Sequence, residues 1–347
     1  MTDLLVYGAY GYTGELIARE AVERGWEPTL AGRTQSKLDP LAAALNCPAE
    51  PFSLDDDVAA HVEGFDAVLN CAGPFVETHE PLVEACIETG THYLDITGEV
   101  DVFESIAAHD ERASDADVLL LPGVGFDVVP SDCLAAHLHD RLPGADHLAL
   151  GFDALDGVSP GTAKTAVSQL GEGGLVREDG LLREVSAAHR TRRIDFGRGE
   201  RTGVTIPWGD LSTAYRSTGI PNIEFYAAVP GPAVWGLRAS QVAAPVLGSG
   251  PVKSWLRSLV DATVSGPSER QREEGRSFLW GEARTDEGER VVSRLETPET
   301  YALTVETALE TTGRALDGDA PAGYQTPSTA YGKDLILAVE GTERTDD

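Results

Sequence analysis

Three glycines within residues 8–14 have a spacing that suits the binding of a diphosphate. Gly8, Gly11 and Gly14 come directly after the apolar run LLVY at residues 4–7 and open a stretch with a helical pattern. A tight strand-to-helix turn needs backbone angles that a Cβ resists, and the N–H groups at a helix start attract an anion. We predict a dinucleotide site at this turn, although the same glycines also fit a plain strand–helix connection.

The loop between these glycines is slightly longer than in the common dinucleotide motif. Its pattern is G-x-x-G-x-x-G rather than G-x-G-x-x-G. By analogy with that motif, Gly11 would let the diphosphate approach the backbone, and Gly14 would let the helix pack on the strand. Tyr10, Tyr12 and Thr13 remain as side chains that can contact the cofactor.

The end of the second predicted strand indicates which dinucleotide binds. Its sequence LAGRT carries Arg33 where an NAD-dependent protein usually has an acidic residue for the ribose 2′-hydroxyl. An arginine instead offers a planar, permanently charged fork for a 2′-phosphate. Lys37, one of only four lysines, follows one helical turn later. We predict NADP(H), while a plain surface charge stays the alternative for both cations.

Small residues follow the predicted strand FDAVLN at residues 65–70. At the carboxyl end of a central strand, small residues let the nicotinamide half of a dinucleotide lie across the sheet. The predicted contacts are Asn70, Cys71, Ala72, Gly73 and Pro74. We do not expect Cys71 to be a nucleophile, because no neighbouring residue suggests a base and buried cysteine is the commoner state.

Reduction with a nicotinamide cofactor also requires a proton donor. Tyr93, Asp127 and Asp132 follow or lie in later predicted strands, and Lys164 stands in the apolar context SPGTAKTAV. Burial could raise the pKa of either carboxyl group and make it an acid. Structural alternatives stay open, since Asp132 can cap the next helix, Tyr93 can pack in the sheet and Lys164 can be an exposed helix residue. Further candidate donors at the fifth strand are His92, Asp95 and Glu99, and His92 also fits a structural polar residue.

The charge of the chain excludes some classes of partner. Lys+Arg 27 against Asp+Glu 57 gives a net charge of −30, and the acids are scattered along all 347 residues. Such a charge repels nucleic acid and anionic membranes, so neither is expected as a general partner. We interpret it as adaptation to a high-salt cytoplasm, where salt screens the self-repulsion. A merely acidic protein from ordinary salt is the alternative.

Targeting and metal signals are missing from the sequence. The four cysteines show no metal-like spacing, so we predict no metal site and a reduced, cytoplasmic setting. The sequence enters a strand at once without the charged start of a signal peptide, and no apolar run reaches the roughly 18 residues that a membrane span needs. We therefore expect a soluble protein.

The pattern of elements predicts two domains. Up to residue 128, short apolar strands alternate with helices, which is typical of a doubly wound parallel sheet. From 129 to 340, period-two segments and the hairpin signals Asp179-Gly180 and Glu287-Gly288 predict an α+β domain on a largely antiparallel sheet. It stays open whether the last strand or helix packs back on the first domain. Residues 341–347 are predicted to fray.

Residues 233–264 are unusually apolar for so acidic a chain. They fit a lid, a partner surface or a lipid-docking face, which would allow membrane contact. We favour the simpler interpretation, a core helix with a loop.

Six motifs in this order resemble the saccharopine dehydrogenase-like oxidoreductases, in the branch with the trans-acting enoyl reductases. They are YGAYGYTG, AGR, NCAGPF, HYLDITGE (92–99), GVGFDVVPSD (123–132) and GYQTPSTAYG (323–332). The resemblance implies an NADP-binding Rossmann domain, a second domain on a mixed or antiparallel sheet, and an NADP(H)-dependent reductase. It leaves a homodimer open.

The resemblance implies reduction of a C=C or C=N bond in a small-molecule or lipid-like substrate. The alternatives are a non-catalytic NADP-binding or membrane-docked scaffold and a true saccharopine-type reductase. The last would need arginines for a dicarboxylate substrate, and the candidates also fit a solvated segment. These candidates are Arg190, Arg192, Arg193, Arg198 and Arg201.

Overall fold

The structure is a computed structural model that describes residues 3–154, 163, 167, 173–231, 234, 236, 250–264, 266–319 and 321–347. The chain forms two compact units. The first comprises Met1–Val129 and Leu303–Gly332, and the second comprises Pro130–Ala302 and Lys333–Asp347. A late stretch of the chain thus belongs to the first unit.

The described strands and helices are numbered in chain order. The strands are β1 (Leu4–Tyr7), β2 (Thr29–Gly32), β3 (Ala49–Pro51), β4 (Ala67–Asn70), β5 (His92–Asp95), β6 (Leu119–Leu121), β7 (His147–Asp153), β8 (Gly174–Glu178), β9 (Leu181–Val185), β10 (Thr191–Asp195), β11 (Glu200–Thr205), β12 (Asn222–Val229), β13 (Arg276–Arg284), β14 (Arg290–Pro298), β15 (Gly323–Tyr324) and β16 (Glu343–Asp346). The helices are α1 (Tyr12–Glu23), α2 (Gln35–Leu45), α3 (Val58–Val62), α4 (Phe75–Thr89), α5 (Val100–Ala107), α6 (Asp110–Asp115), α7 (Val129–Arg141), α8 (Asp210–Thr218), α9 (Gly250–Thr263), α10 (Glu269–Glu274), α11 (Thr300–Leu316) and α12 (Pro327–Tyr331), with a 3₁₀ turn at Leu335–Ala338.

The first unit contains a parallel sheet in the order β15-β6-β5-β4-β1-β2-β3. Its strands are buried on both faces, so they appear in the sequence as continuous apolar runs. The predicted doubly wound parallel sheet is confirmed. Strand β3 was not predicted, because its three residues AEP are largely exposed and carry no apolar run.

Alternate residues of each strand belong to two hydrophobic cores, one on each face of this sheet. Val6 packs on one face with Ile17 of α1 and Leu309 of α11. Leu5 packs on the other face with Leu82 of α4. Full burial of one such leucine contributes about 2 kcal/mol. Helix α11 thereby covers the first sheet although it is far away in sequence.

The second unit contains a mixed sheet in the order β10-β11-β12-β7-β13-β14-β16, with β8 pairing β12 and β9. Only the pair β12–β7 is parallel among the described pairs, so the predicted largely antiparallel sheet is confirmed. Asp179 and Gly180 connect β8 and β9 with φ of 52° and 77°, as a primed hairpin turn requires. The hairpin β13–β14 turns at Gly288, with φ of 96°.

One local prediction in the second unit is wrong. Residues 341–347 do not fray, because β16 pairs with β14 and Asp346 accepts a hydrogen bond of 2.7 Å from Ser293. These residues are polar, so their pairing left no apolar signal in the sequence. Helix α7 begins at Val129, and Asp132 lies in its first turn, which is one of the two structural positions expected for it.

The apolar region 233–264 is described only in part, as Val234, Gly236 and helix α9 onward. In α9 none of the described side chains is buried, and Trp255 and Leu259 are 64% and 45% exposed. The core interpretation is therefore wrong for this helix. Within the described ranges, no helix combines the length and apolar character needed to cross a membrane.

Candidate functional site

The turn between β1 and α1 is built by contacts between backbones. Gly8 has a φ of 80°, and a Cβ there would lie 2.8 Å from the backbone nitrogen of Ala72. At Gly14 a Cβ would lie 2.4 Å from the carbonyl oxygen of Gly8, whereas at Gly11 that distance would be 3.2 Å. Sterics therefore require Gly8 and Gly14 more strictly than Gly11.

This turn leaves the start of α1 accessible. No side chain caps α1 at Gly11, and Tyr10, Tyr12 and Thr13 are partly exposed. Main-chain N–H groups at such an uncapped helix start, next to a glycine loop, suit the diphosphate of a dinucleotide. The predicted dinucleotide contacts therefore lie together around one helix start.

Two cations lie beside the Tyr10 ring at the end of β2. A Cβ at Gly32 would be 2.7 Å from the Tyr10 ring, so the ring rests directly on that glycine. The Lys37 Nζ lies 5.8 Å from the ring centroid, and Arg33 is exposed next to Gly32. Burial and Tyr10 raise the pKa of Tyr7 to about 12, while the nearby Arg33 cation opposes that rise. The structure thus brings Tyr10, Arg33 and Lys37 together.

The loop after β4 is held by side chains beneath it. Asn70 accepts a hydrogen bond of 3.0 Å from the Ala72 N–H, and Thr78 donates one of 2.7 Å to the Ala72 carbonyl. Gly73 is exposed and the Gly73–Pro74 peptide is cis. Burial, with a smaller effect of Asp95, raises the pKa of the Cys71 thiol well above its usual value, which does not favour a thiolate nucleophile. Loop 71–74 therefore presents backbone rather than reactive groups.

A buried hydrogen-bond chain joins the ends of β4, β5 and β6. Asn70 donates to the Tyr93 hydroxyl (3.2 Å), which donates to Asp95 (2.8 Å). The other Asp95 oxygen accepts from the N–H groups of Thr97 (3.0 Å) and Gly123 (2.9 Å). Burial raises the pKa of Asp95 to about 6 and that of Tyr93 well above its usual range. Tyr93 is engaged in structure here, and its catalytic role stays a prediction.

Two more carboxyl groups lie at the same end of the sheet. Glu99 accepts hydrogen bonds from the N–H groups of Phe75 (3.1 Å) and Val76 (3.3 Å), the first residues of α4. Asp127 lies against Gly98, where a Cβ would be 2.8 Å from its Oδ2. Burial raises the pKa of Glu99, and burial with the Glu99 charge raises that of Asp127 to about 7. The sequence predicted Glu99 only as one of several candidate donors after β5, and its bonds to the start of α4 depend on the fold.

The remaining catalytic candidates belong to other parts of the chain. Asp132 is fully buried in the first turn of α7, in the second unit. Lys164 lies outside the described residues. The roles predicted for these two residues stay predictions.

The candidate arginines for a dicarboxylate are paired within the second unit. Arg192 bonds Glu282 (2.6 Å) and stacks on Trp280, with 4.5 Å to the ring centroid. Arg198 bonds Asp153 (2.9 Å) and stacks likewise on Phe278 (4.5 Å). The other ion pairs are Arg190–Glu224, Arg193–Glu200 and Arg201–Asp153. These contacts favour the solvated, structural interpretation of this segment.

The structure also brings together one group of potential metal ligands that the sequence did not predict. Ligand atoms of Glu80, Glu84 and His109 lie within 4.8 Å of one another. Arg112 forms a bidentate ion pair with Glu84, with both bonds 2.7 Å long. This cluster is therefore an ion-pair network on the helices of the first unit.

The first unit matches a known domain family. Residues 4–121 match the family model described as saccharopine dehydrogenase NADP binding domain. The chain is 29% identical over 215 residues to the human saccharopine dehydrogenase-like oxidoreductase, covering 53% of this chain and 48% of that protein. It is 33% identical over 150 residues to the trans-acting enoyl reductase of Mycobacterium leprae (strain TN), covering 40% and 36% respectively. The resemblance predicted from the motifs is confirmed.

A solved structure resembles the whole chain. Apo histidine-tagged saccharopine dehydrogenase (L-Glu forming) from Saccharomyces cerevisiae aligns with a TM-score of 0.67 over 100% of both chains, at 12% identity. At this identity the likeness concerns the fold alone. The chain spans 48% of the length of the human relative and 36% of that of the mycobacterial relative. The matched domain makes the cofactor a nicotinamide nucleotide.

The turn geometry predicts a graded effect of two alanine substitutions. Gly14→Ala forces the Gly8 carbonyl to move and should weaken nucleotide binding at least about tenfold, equivalent to about 1.4 kcal/mol. Gly11→Ala has the looser contact and should weaken binding less. Titration of nucleotide fluorescence measures both, with Gly144→Ala as the control, since a Cβ at Gly144 meets nothing within 4 Å. Unchanged binding in Gly14→Ala would contradict the assignment.

Proposed function

Because residues 4–121 form a nucleotide-binding domain of the saccharopine dehydrogenase type, we propose that this protein is an NADP(H)-dependent oxidoreductase. It reduces a C=C or C=N bond of a small-molecule or lipid-like substrate. The proposal rests on the turn between β1 and α1. This turn leaves no space for a Cβ at Gly8 or Gly14, and the Arg33 cation follows the end of the next strand. When bound, the cofactor supplies a hydride, and the protein supplies a proton and the orientation.

The residues of the first unit fit the parts of such a cofactor in order. The uncapped start of α1 suits the diphosphate, while the Gly11 N–H is bonded to the Gly8 carbonyl at 2.9 Å. Arg33 and Lys37, both exposed beside Tyr10, suit a 2′-phosphate. The partly exposed backbone of loop 71–74 suits the nicotinamide half. In a chain of net charge −30, a pair of cations at this point supports a phosphorylated ligand.

The substrate class is proposed from kinship and from the second unit. Arg192, Arg198 and their neighbours are already paired with carboxylates, so they do not support a dicarboxylate site. We therefore favour reduction of a less charged substrate over saccharopine formation. A non-catalytic scaffold would bind NADPH without consuming it.

Charge reversal at Arg33 should change the cofactor preference. Arg33→Asp removes the cation for the 2′-phosphate and should weaken NADPH binding by about 10- to 100-fold. The new carboxylate can accept hydrogen bonds from the ribose hydroxyls, so the affinity for NADH should stay unchanged or rise. Fluorescence titration with both nucleotides measures the preference. Arg270→Asp makes the same charge change in the second unit and serves as control; equal losses for NADPH and NADH would contradict the role of Arg33.

A substrate panel tests the reaction class. With NADPH in molar KCl, a 2-enoyl thioester probes C=C reduction, and lysine with 2-oxoglutarate probes C=N reduction. We expect NADPH absorbance to fall with the thioester and to stay constant with the amino acid pair. Turnover with the pair alone would move the assignment to a saccharopine-type reductase. Tight NADPH binding without turnover on any probe or metabolite extract would favour the scaffold.

We also place the protein in a high-salt cytoplasm, on the strength of its net charge of −30. Salt shortens the range of repulsion between carboxylates from about 30 Å at 0.01 M to about 3 Å at 1 M. The melting temperature should therefore rise steeply with KCl, most of all below about 1 M. Differential scanning fluorimetry across a KCl series measures it, with sucrose at matched osmolality as control. A melting temperature independent of KCl would refute this placement.

A further inference from the structure

We propose that Asp127 is the proton donor of this site and that Glu99 is a positioning residue whose negative charge favours the protonated form of Asp127. This inference rests on the proposed reductase function. It concerns groups of the first unit only, and it explains why a glycine stands at position 98.

A continuous set of contacts connects Asp127 to the loop proposed for the nicotinamide. Pro74 of that loop is followed at once by Phe75 and Val76, whose N–H groups bond the Glu99 carboxylate at 3.1 and 3.3 Å. Glu99 is adjacent to Gly98, on which Asp127 rests. Glu99 and Asp127 are both half-buried residues.

Gly98 is explained by its contact with Asp127. A Cβ at position 98 would lie 2.8 Å from Oδ2 and 3.0 Å from Cβ of Asp127, so any side chain there would displace the carboxyl group. The backbone of Gly98 is not in the left-handed region that requires glycine. The glycine therefore serves the close seating of Asp127 rather than a turn.

The charges around Asp127 favour its protonated form. Burial raises the pKa of Glu99, and two N–H groups at the start of α4 oppose that rise and favour its anionic form, because carboxylates are stabilised at a helix N-terminus. That anion opposes a second charge on Asp127, whose pKa burial and Glu99 raise to about 7. Around Glu99, His79 favours its charged form and Asp101 opposes it. On the side that faces α11, the Phe126 N–H donates a hydrogen bond to the Thr304 hydroxyl, which carries no charge.

Asp127 fits the role of donor better than Asp95. Asp95 is fully buried, and its oxygens accept from Tyr93, Thr97 and Gly123. Asp127 is partly exposed and has a pKa of about 7, close to the value that an acid working at neutral pH needs.

The atoms and electrons of the reduction balance. One atom of the substrate C=C or C=N bond gains the hydride, with two electrons, and the other gains the proton of Asp127. The double bond becomes single, NADPH is oxidised to NADP⁺, and the Asp127 carboxylate regains a proton from water.

The oxidised cofactor should lower the pKa of Asp127, which gives a test without a substrate. The nicotinamide ring is a cation in NADP⁺ and neutral in NADPH, and a nearby cation favours a carboxylate. NADP⁺ should therefore bind tighter, relative to NADPH, as pH rises toward about 7, and the ratio should level off above it. The 2′-phosphate also titrates near pH 6, but it is common to both nucleotides and cancels in the ratio.

The measurement is the ratio of NADPH to NADP⁺ dissociation constants between about pH 5.5 and pH 8.5, from fluorescence titration and competition in molar KCl. In the unmodified protein we expect the ratio to rise at least about fivefold across this range. Asp127→Asn should retain binding and make the ratio independent of pH. Glu99→Gln removes the like charge and should move the midpoint to lower pH.

Gly98→Ala tests the geometry with every ionisable group retained. Its Cβ displaces Asp127, so the pH dependence should shrink although the charges of the protein are unchanged. Gly144→Ala, in open space, and Asp115→Asn, an exposed acid of α6, are the matched controls and should behave as the unmodified protein.

The outcomes separate this inference from the proposed function. If both nucleotides bind with a ratio that does not depend on pH, the inference falls and the proposed function stands. If the ratio still depends on pH in Asp127→Asn, another group holds the proton and the inference falls as well. If neither nucleotide binds, the proposed function fails and takes the inference with it. Should a variant not fold, the ratio in the unmodified protein still decides.

Discussion

The first unit depends on one close approach between backbone segments. β1 leaves the sheet at Gly8, which lies against Ala72 on one side and under Gly14 on the other, with no space for a Cβ at either glycine. This packing sets the start of α1 directly beside the loop that follows β4. Because the two segments touch through main chain, their spacing is fixed by van der Waals contact and not by flexible side chains. Everything that we propose for the cofactor follows from that spacing.

A series of buried hydrogen bonds also fixes the positions of the neighbouring strand ends. Asn70 of β4 donates to Tyr93 of β5, Tyr93 donates to Asp95 of the same strand, and Asp95 accepts from the Gly123 N–H after β6. In a low-dielectric interior such bonds are strong, and each unmade one is costly. The network therefore holds the ends of β4, β5 and β6 at constant separation. The exposed loops above them can present backbone and carboxyl groups in a defined arrangement.

The pKa values of buried carboxyl groups are shifted in opposite directions in the two units. In the second unit, Glu282 is buried but bonded to Arg192 and Arg290; these partners outweigh the burial and hold its pKa below the usual value. In the first unit, burial of Asp127 beside another acid raises its pKa to about 7. A buried carboxyl group is thus favoured as an anion in one place and in its protonated form in the other. Neighbouring charge decides between the two roles.

Sequence by itself determined the features that depend on local backbone preferences. These are the glycine turn, the apolar strands of the first sheet and the hairpin at Asp179-Gly180, since each follows from which residues tolerate a given φ or avoid water. Only the tertiary structure decided that Glu99 bonds the start of α4, that Asp127 rests on Gly98 and that β16 completes the second sheet. These contacts join residues that are 23 or more positions apart, from Val76–Glu99 upward. Strand order and helix packing bring such residues together, and the local sequence pattern predicts neither of them.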